Sequence, residues 1–155
     1  MKNIISSLFI ICLLTLTCSF SKKPNNQLAF FAEGECEFVV SKTANLSFLP
    51  KDVKIVANGD NLILTVNARL ANYMFSKLSN FKGYVFKFKS NFDEFKKAVK
   101  FKYFKDNSFL NQNHYYAFSS QFDNFVFIDG KKVNMHIVEK EDVLIVGFPI
   151  ILTSY

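Results

Sequence analysis

The sequence predicts an α+β fold, an antiparallel sheet with two helices packed on one face. Three observations predict it. Short runs in which apolar and polar residues alternate recur along most of the chain. Turn-forming residues separate those runs. Twice the alternation gives way to helical spacing. The chain has 155 residues, half of them hydrophobic and 21% charged, with 3 Pro and 5 Gly. That suits one domain and excludes a disordered tail or a collagen-like repeat.

Glu35–Ser41 alternates and is the first predicted strand. Val53–Ala57 and Asn61–Val66 flank Asn58-Gly59-Asp60, a hairpin signal. Asn67 is placed to cap a helix on which Leu70, Met74 and Leu78 share a face, with Gly83 past its end. Tyr84–Lys89 then alternates strictly. Asn91 followed by Glu94 resembles a capping box, and Phe92, Phe95 and Val99 mark a short helix. Lys100–Lys105 returns to alternation, with strands expected at His114–Phe118, Phe125–Ile128, Val133–Val138 and Val143–Phe148. Asp129-Gly130 and the Glu139/Glu141/Asp142 cluster read as turns between them.

Met1 to Phe20 reads as an export signal: Lys2, then an apolar run from Ile4 to about Leu16. Ser19 and Ser21 supply small residues for cleavage before Lys22. Residues 1–21 are therefore a signal peptide or, because Lys22 and Lys23 follow at once, an N-terminal membrane anchor. A buried apolar helix is the third alternative. Cys18 could carry a lipid, although Thr15-Leu16-Thr17 lacks the usual residues before a lipidated cysteine. Residues 22–29 form a polar spacer and 30–155 a single domain. The expected location is extracytoplasmic, secreted or membrane-anchored.

Phe occurs 20 times and Trp never, and of 19 cationic residues only Arg69 is arginine. AT-rich coding favours Phe, Lys, Asn and Ile. Lysine offers a point charge without the planar fork used in base reading, so the +6 charge does not point to nucleic acid. Lys77 to Lys105 holds nine lysines against Asp93 and Glu94. Lys87 and Lys89 oppose the aromatics of their strand, as Lys100 and Lys102 do in theirs. If those strands are neighbours, four lysines share one sheet face. Such a face is either solvated protection against aggregation or a footprint for an anionic polymer or lipid.

Catalytic signals are missing. Cys36 lies between two acids, which disfavour a thiolate, and reads as a passive strand residue. His114 and His136 are distant in sequence and have no Cys or His at metal-ligand spacing. Ser119-Ser120 lacks the glycines of a nucleophile elbow, and no phosphate-binding glycine loop occurs. The acidic cluster lacks the spacing and glycine of a calcium loop. No enzyme activity, cofactor or metal is expected.

From Ile128 to Tyr155 a strand Val133-Asn134-Met135-His136-Ile137 precedes one ending Val146-Gly147-Phe148-Pro149-Ile150-Ile151, with Tyr155 closing the chain. This layout resembles the end of the YwmB-like family of exported Firmicute proteins, which have a TATA-box-binding-protein-like fold. The resemblance implies a curved antiparallel sheet with helices on one side. It implies no DNA binding and carries over no catalytic residue, because fold does not carry function. The expectation is thus an exported envelope protein of unknown biochemical activity, binding or scaffolding through Lys87, Lys89, Lys100 and Lys102 toward anionic wall polymer or lipid. The alternative is a protein-interaction module for an envelope or secretion partner. It would use aromatics of Tyr115/Tyr116/Phe118 and Phe122/Phe125/Phe127.

Overall fold

A computed structural model describes residues 31–106, 112–122 and 124–153. The signal or anchor segment 1–21, Cys18, the spacer 22–29 and Tyr155 lie outside the described residues. Ten strands and two short helices follow one another: β1 (Glu35–Ser41), β2 (Lys54–Asn58), β3 (Asn61–Asn67), α1 (Ala71–Lys77), β4 (Phe81–Lys89), α2 (Phe92–Ala98), β5 (Lys102–Asp106), β6 (Asn113–Phe118), β7 (Val126–Ile128), β8 (Lys131–Val133), β9 (Met135–Lys140) and β10 (Val143–Phe148). Eight strands form one sheet in the order β2-β3-β1-β4-β10-β9-β6-β5, while β7 and β8 pair separately. The expected α+β class holds.

Local chemistry accounts for most elements. The β2–β3 hairpin closes with Asn58 opposite Asn61, so its loop is Gly59-Asp60. Gly59 has φ of 56°, the backbone that glycine supplies at the first loop position of a type II′ turn. Asn67 Oδ1 accepts the Arg69 amide at 3.0 Å. That bond starts a 3-10 turn (Ala68–Leu70) leading into α1. Asn91 Oδ1 accepts the Glu94 amide at 2.9 Å. Glu94 turns to Ser90, whose hydroxyl donates to Oε2 at 3.1 Å. A further cap comes from a distant strand, where Glu139 Oε1 accepts the Phe92 amide at 3.0 Å. Glu139 thus serves α2, and the β9–β10 turn is Glu141-Asp142.

All neighbouring pairs in the large sheet are antiparallel. Two antiparallel steps make β3 and β4 parallel, and four make β4 and β5 parallel. Each connection is a crossover that carries a helix. Both crossovers advance in the same direction across the sheet. Crossovers of one hand then put both helices on one face. There Met74 of α1 and Phe95 of α2 join Phe38, Phe86, Leu144 and Ile137 in the main core. Phe31 stacks on Phe86 at 4.5 Å between centroids. Burial of each such ring contributes about 2 kcal/mol, so a Phe-rich chain of this length builds a sufficient core.

The opposite face carries a smaller cluster of Val85, Val138 and Ile145, with Val143 and Ile151 against it. The Phe148–Pro149 peptide is cis, and the following residues fold back over this face. A Cβ on Gly147 would meet the backbone of Ile150 and Ile151. One on Gly83 would lie 3.0 Å from Leu152 Cδ1 and 2.9 Å from the Phe148 carbonyl oxygen. Close approach, not helix termination, is why position 83 is glycine, and β4 begins before it, at Phe81.

Two other sequence boundaries move. β5 begins at Lys102, leaving Lys100 in the connection. The predicted Val133–Val138 strand is cut at Asn134, which separates β8 from β9. The Asn134 amide leaves both ladders and donates to the Ala117 carbonyl at 2.9 Å.

Candidate functional site

The four predicted lysines do not form one surface. β4 and β5 are not neighbours, because β10, β9 and β6 lie between them. Four strand spacings separate Lys87 and Lys89 from Lys102 by about 19 Å. That is nearly twice the Debye length of about 10 Å at moderate salt, so the two pairs do not add as one field. Lys87 is also neutralised. Its ammonium lies 2.6 Å from Glu37 Oε1, the two side chains being 24% and 11% exposed. Glu35 stands opposite Lys87 in register. Alternation alone puts Glu35 and Glu37 on one face, but only the β1–β4 pairing shows that this face belongs to Lys87.

A different cationic surface forms at the β5 edge. Lys102 stands opposite Phe118, and Phe104 opposite Tyr116. Lys131 Nζ lies 4.3 Å from the Phe104 ring centroid, and Lys132 Nζ 4.4 Å from that of Phe125. Phe125 meets Phe127 edge-on at 5.5 Å and Phe118 at 6.5 Å. Phe127 is 65% exposed and Phe125 is 42% exposed, a large apolar exposure for adjacent aromatics on a two-stranded hairpin. On the helix side of the same edge, Lys96 Nζ lies 4.7 Å from the exposed Tyr103 ring. Lys102 therefore shares this edge with Lys131 and Lys132 on one face and Lys96 on the helix face, and Lys100 stands in the connection just before it. Lys131 and Lys132 went unremarked in the sequence, where only their place beside the Asp129-Gly130 turn marked them as exposed.

Not every aromatic of the interaction-module reading is at the surface. Tyr115 is buried on the helix face, stacked on Phe92 at 3.8 Å. Burial raises its phenol pKa, and the negative charges of Glu139 and others add to the shift. Phe122 packs on Phe148 at 4.7 Å. The exposed set reduces to Phe125 and Phe127, with the half-buried Phe118, Tyr116 and Phe104 beneath them.

Asn134 fastens this surface to the sheet. Its Oδ1 accepts the Ser119 amide at 2.9 Å. Its Nδ2 donates to the carbonyls of Ser119 at 2.7 Å and Phe122 at 2.8 Å. Asn134 is fully buried, so the hairpin root is held by polar bonds shielded from water.

Reactive side chains are few among the described residues. Cys36 is buried, and its thiol pKa is raised by that burial and further by Glu37. A nucleophilic cysteine needs the reverse shift. His114 and His136, distant in sequence, come together: His114 Nδ1 lies 3.0 Å from His136 Nε2, and Tyr116 stacks on His136 at 4.7 Å. One ring donates and the other accepts. Both are buried. Among the described residues no three His, Cys, Asp or Glu side chains are grouped to hold a metal ion.

No helix among the described residues is long and apolar enough to cross a membrane. No protein-family model, no curated protein and no solved structure matches this chain.

Proposed function

We propose that this chain is an exported, non-catalytic envelope protein that docks on an anionic lipid surface through the β7–β8 hairpin and the β5 edge. The carrying observation is the exposed Phe125–Phe127 pair with Lys132 over Phe125, Lys131 over the neighbouring Phe104 and Lys102 opposite Phe118 on the β5 edge. Aromatic rings enter the interfacial region of a bilayer while nearby lysines meet its headgroups. Each lysine close to an anionic membrane contributes about 1 kcal/mol, and the term fades within a Debye length. Three lysines and two rings give weak, reversible, salt-sensitive attachment. The N-terminal export pattern supports the location. The YwmB-like, TATA-box-binding-protein-like resemblance of the C-terminal strands supports a curved sheet and an exported setting.

Vesicle sedimentation tests this with the chain from Lys22 onward, the form expected after processing. The expected result is binding to phosphatidylglycerol vesicles at low salt and little binding to phosphatidylcholine. Reversing Lys102, Lys131 and Lys132 to Glu should abolish it, as should Phe125→Ser with Phe127→Ser. Reversing Lys89 should leave it unchanged. Equal damage from Lys89→Glu, or no binding at low salt, would sink the proposal. Salt-insensitive capture of an envelope protein by the same aromatics would favour the interaction module instead.

A further inference from the structure

We infer that β2 is a self-pairing edge through which two copies of this chain join their sheets. The inference stands on β2 alone and is independent of the lipid-docking proposal. Among the described residues the eight-stranded sheet ends in β2 and β5. β5, written KYFKD, carries two lysines and lies beside the hairpin lysines, a guarded edge. β2, written KIVAN, has no proline, and its register with β3 runs without a bulge. Ile55 is 50% exposed and Val56 is 56% exposed, one on each face of the sheet.

The register fixes which amides point outward. A two-residue loop closes on a hydrogen-bonded pair, here Asn58 and Asn61, and bonding alternates from there. Asn58, Val56 and Lys54 therefore bond to β3, and Ile55 and Ala57 turn their N–H and C=O groups outward. Antiparallel pairing of two β2 strands with full overlap places Val56 on the two-fold axis, facing its own copy. Ile55 of one chain then meets Ala57 of the other, outward amide against outward amide. Lys54 meets Asn58, so no like charges oppose within the paired strands. The full-overlap register thus pairs the outward backbone groups of both Ile55 and Ala57, which bond to no other strand among the described residues. The occupant that fits this edge is a second copy of the chain, and the interface is closed and isologous.

Oxidative cross-linking of the full chain tests it. The two Val56 positions form a non-hydrogen-bonded pair with Cα atoms about 4.5 Å apart, within disulfide reach. Val56→Cys should give a dimer whose linked peptide, located by mass spectrometry, joins the two substituted positions. Ile55→Cys should not, because its own copy lies two residues away along the strand. Ala57→Pro removes an outward N–H that β3 does not use. It should abolish the Val56→Cys cross-link without changing the circular dichroism spectrum. If that variant misfolds, Val56→Lys, which sets two ammonium groups face to face, should lower the mass of the otherwise wild-type chain in light scattering from dimer to monomer. Cross-linking at position 55 as readily as at 56, a cross-link that survives Ala57→Pro, or a wild-type monomer at all concentrations would each overturn the inference.

Discussion

Asn134→Ala should be the most damaging single polar substitution in the described domain. The side chain makes three bonds, to the Ser119 amide and to the Ser119 and Phe122 carbonyls, at 2.9, 2.7 and 2.8 Å. Alanine removes all three and strands the Ser119 amide and the Phe122 carbonyl beside a fully buried position, while the Ser119 carbonyl keeps the Phe122 amide at 3.3 Å. Each lost bond contributes about 1 kcal/mol net, and each stranded buried group adds to that, so the expected loss is about 3–5 kcal/mol. Domain stability is about 5–15 kcal/mol, so this is a large fraction. Asn134→Asp separates the terms. It keeps the acceptor for Ser119 but aims a carboxylate oxygen at two carbonyls. At neutral pH it should cost more than alanine, and in acid it should recover, because a protonated carboxyl donates again to one of them. Urea unfolding followed by circular dichroism gives the free energies. Amide exchange across Ala117–Phe122 and the β7–β8 hairpin reports whether loosening begins there. A loss under about 1 kcal/mol for Asn134→Ala, or an Asp variant no worse than Ala at neutral pH, would refute the reasoning.

Three further outcomes follow from buried groups. Burial first, and Glu37 second, raise the Cys36 thiol above its ordinary 9.0, so stability is intact below that pH and declines above it. There the unfolded thiol ionises and the folded one does not, at about 1.4 kcal/mol per pH unit. Tyr84, raised chiefly by burial, adds to the loss above its own ordinary value. Cys36→Ala should remove the first part of the decline when urea midpoints are compared across alkaline pH. Gly147→Ala drives a Cβ into the backbone of Ile150 and Ile151. It should cost about 2–3 kcal/mol and expose Ile150–Leu152 to proteolysis. Lys87→Met leaves the buried Glu37 carboxylate with neither oxygen paired, because Oε2 already lacks a partner. It should cost about 2–3 kcal/mol, and adding Glu37→Leu should restore most of that in a double-mutant cycle.

What the sequence showed of this fold depended on local causes. Asn67 and Asn91 cap where their spacing placed them, and Asn58-Gly59-Asp60 turns because glycine takes the left-handed backbone there. β1 keeps its predicted bounds because Glu35-Cys36-Glu37-Phe38 alternates in a strand with neighbours on both sides. Asn134 escaped because it stands at an alternating position in an apolar run. Its role as a break depends on Ser119 and Phe122, which periodicity cannot bring near it. The His114–His136 pair escaped for a related reason. Spacing along the chain sets them 22 residues apart, whereas the contact is made across the β6–β9 pairing.

The lysine surface shows the same cause acting on function. Nine lysines in one stretch read as one field only if charges add along the chain. They add through space, and only within about a Debye length. The helix α2 carries the chain from the middle of the sheet to its edge, past three strands that arrive later in the sequence. That crossover splits the stretch, leaving Lys87 beside Glu37 at 2.6 Å and moving Lys102 to the edge. Lys131 and Lys132, outside the stretch, are brought to the β5 edge and to Phe125 by the hairpin that Asn134 anchors. Asn134→Ala should therefore weaken vesicle binding although the residue touches no lipid. In the docking proposed above, it holds the aromatic rings and the hairpin lysines in one place.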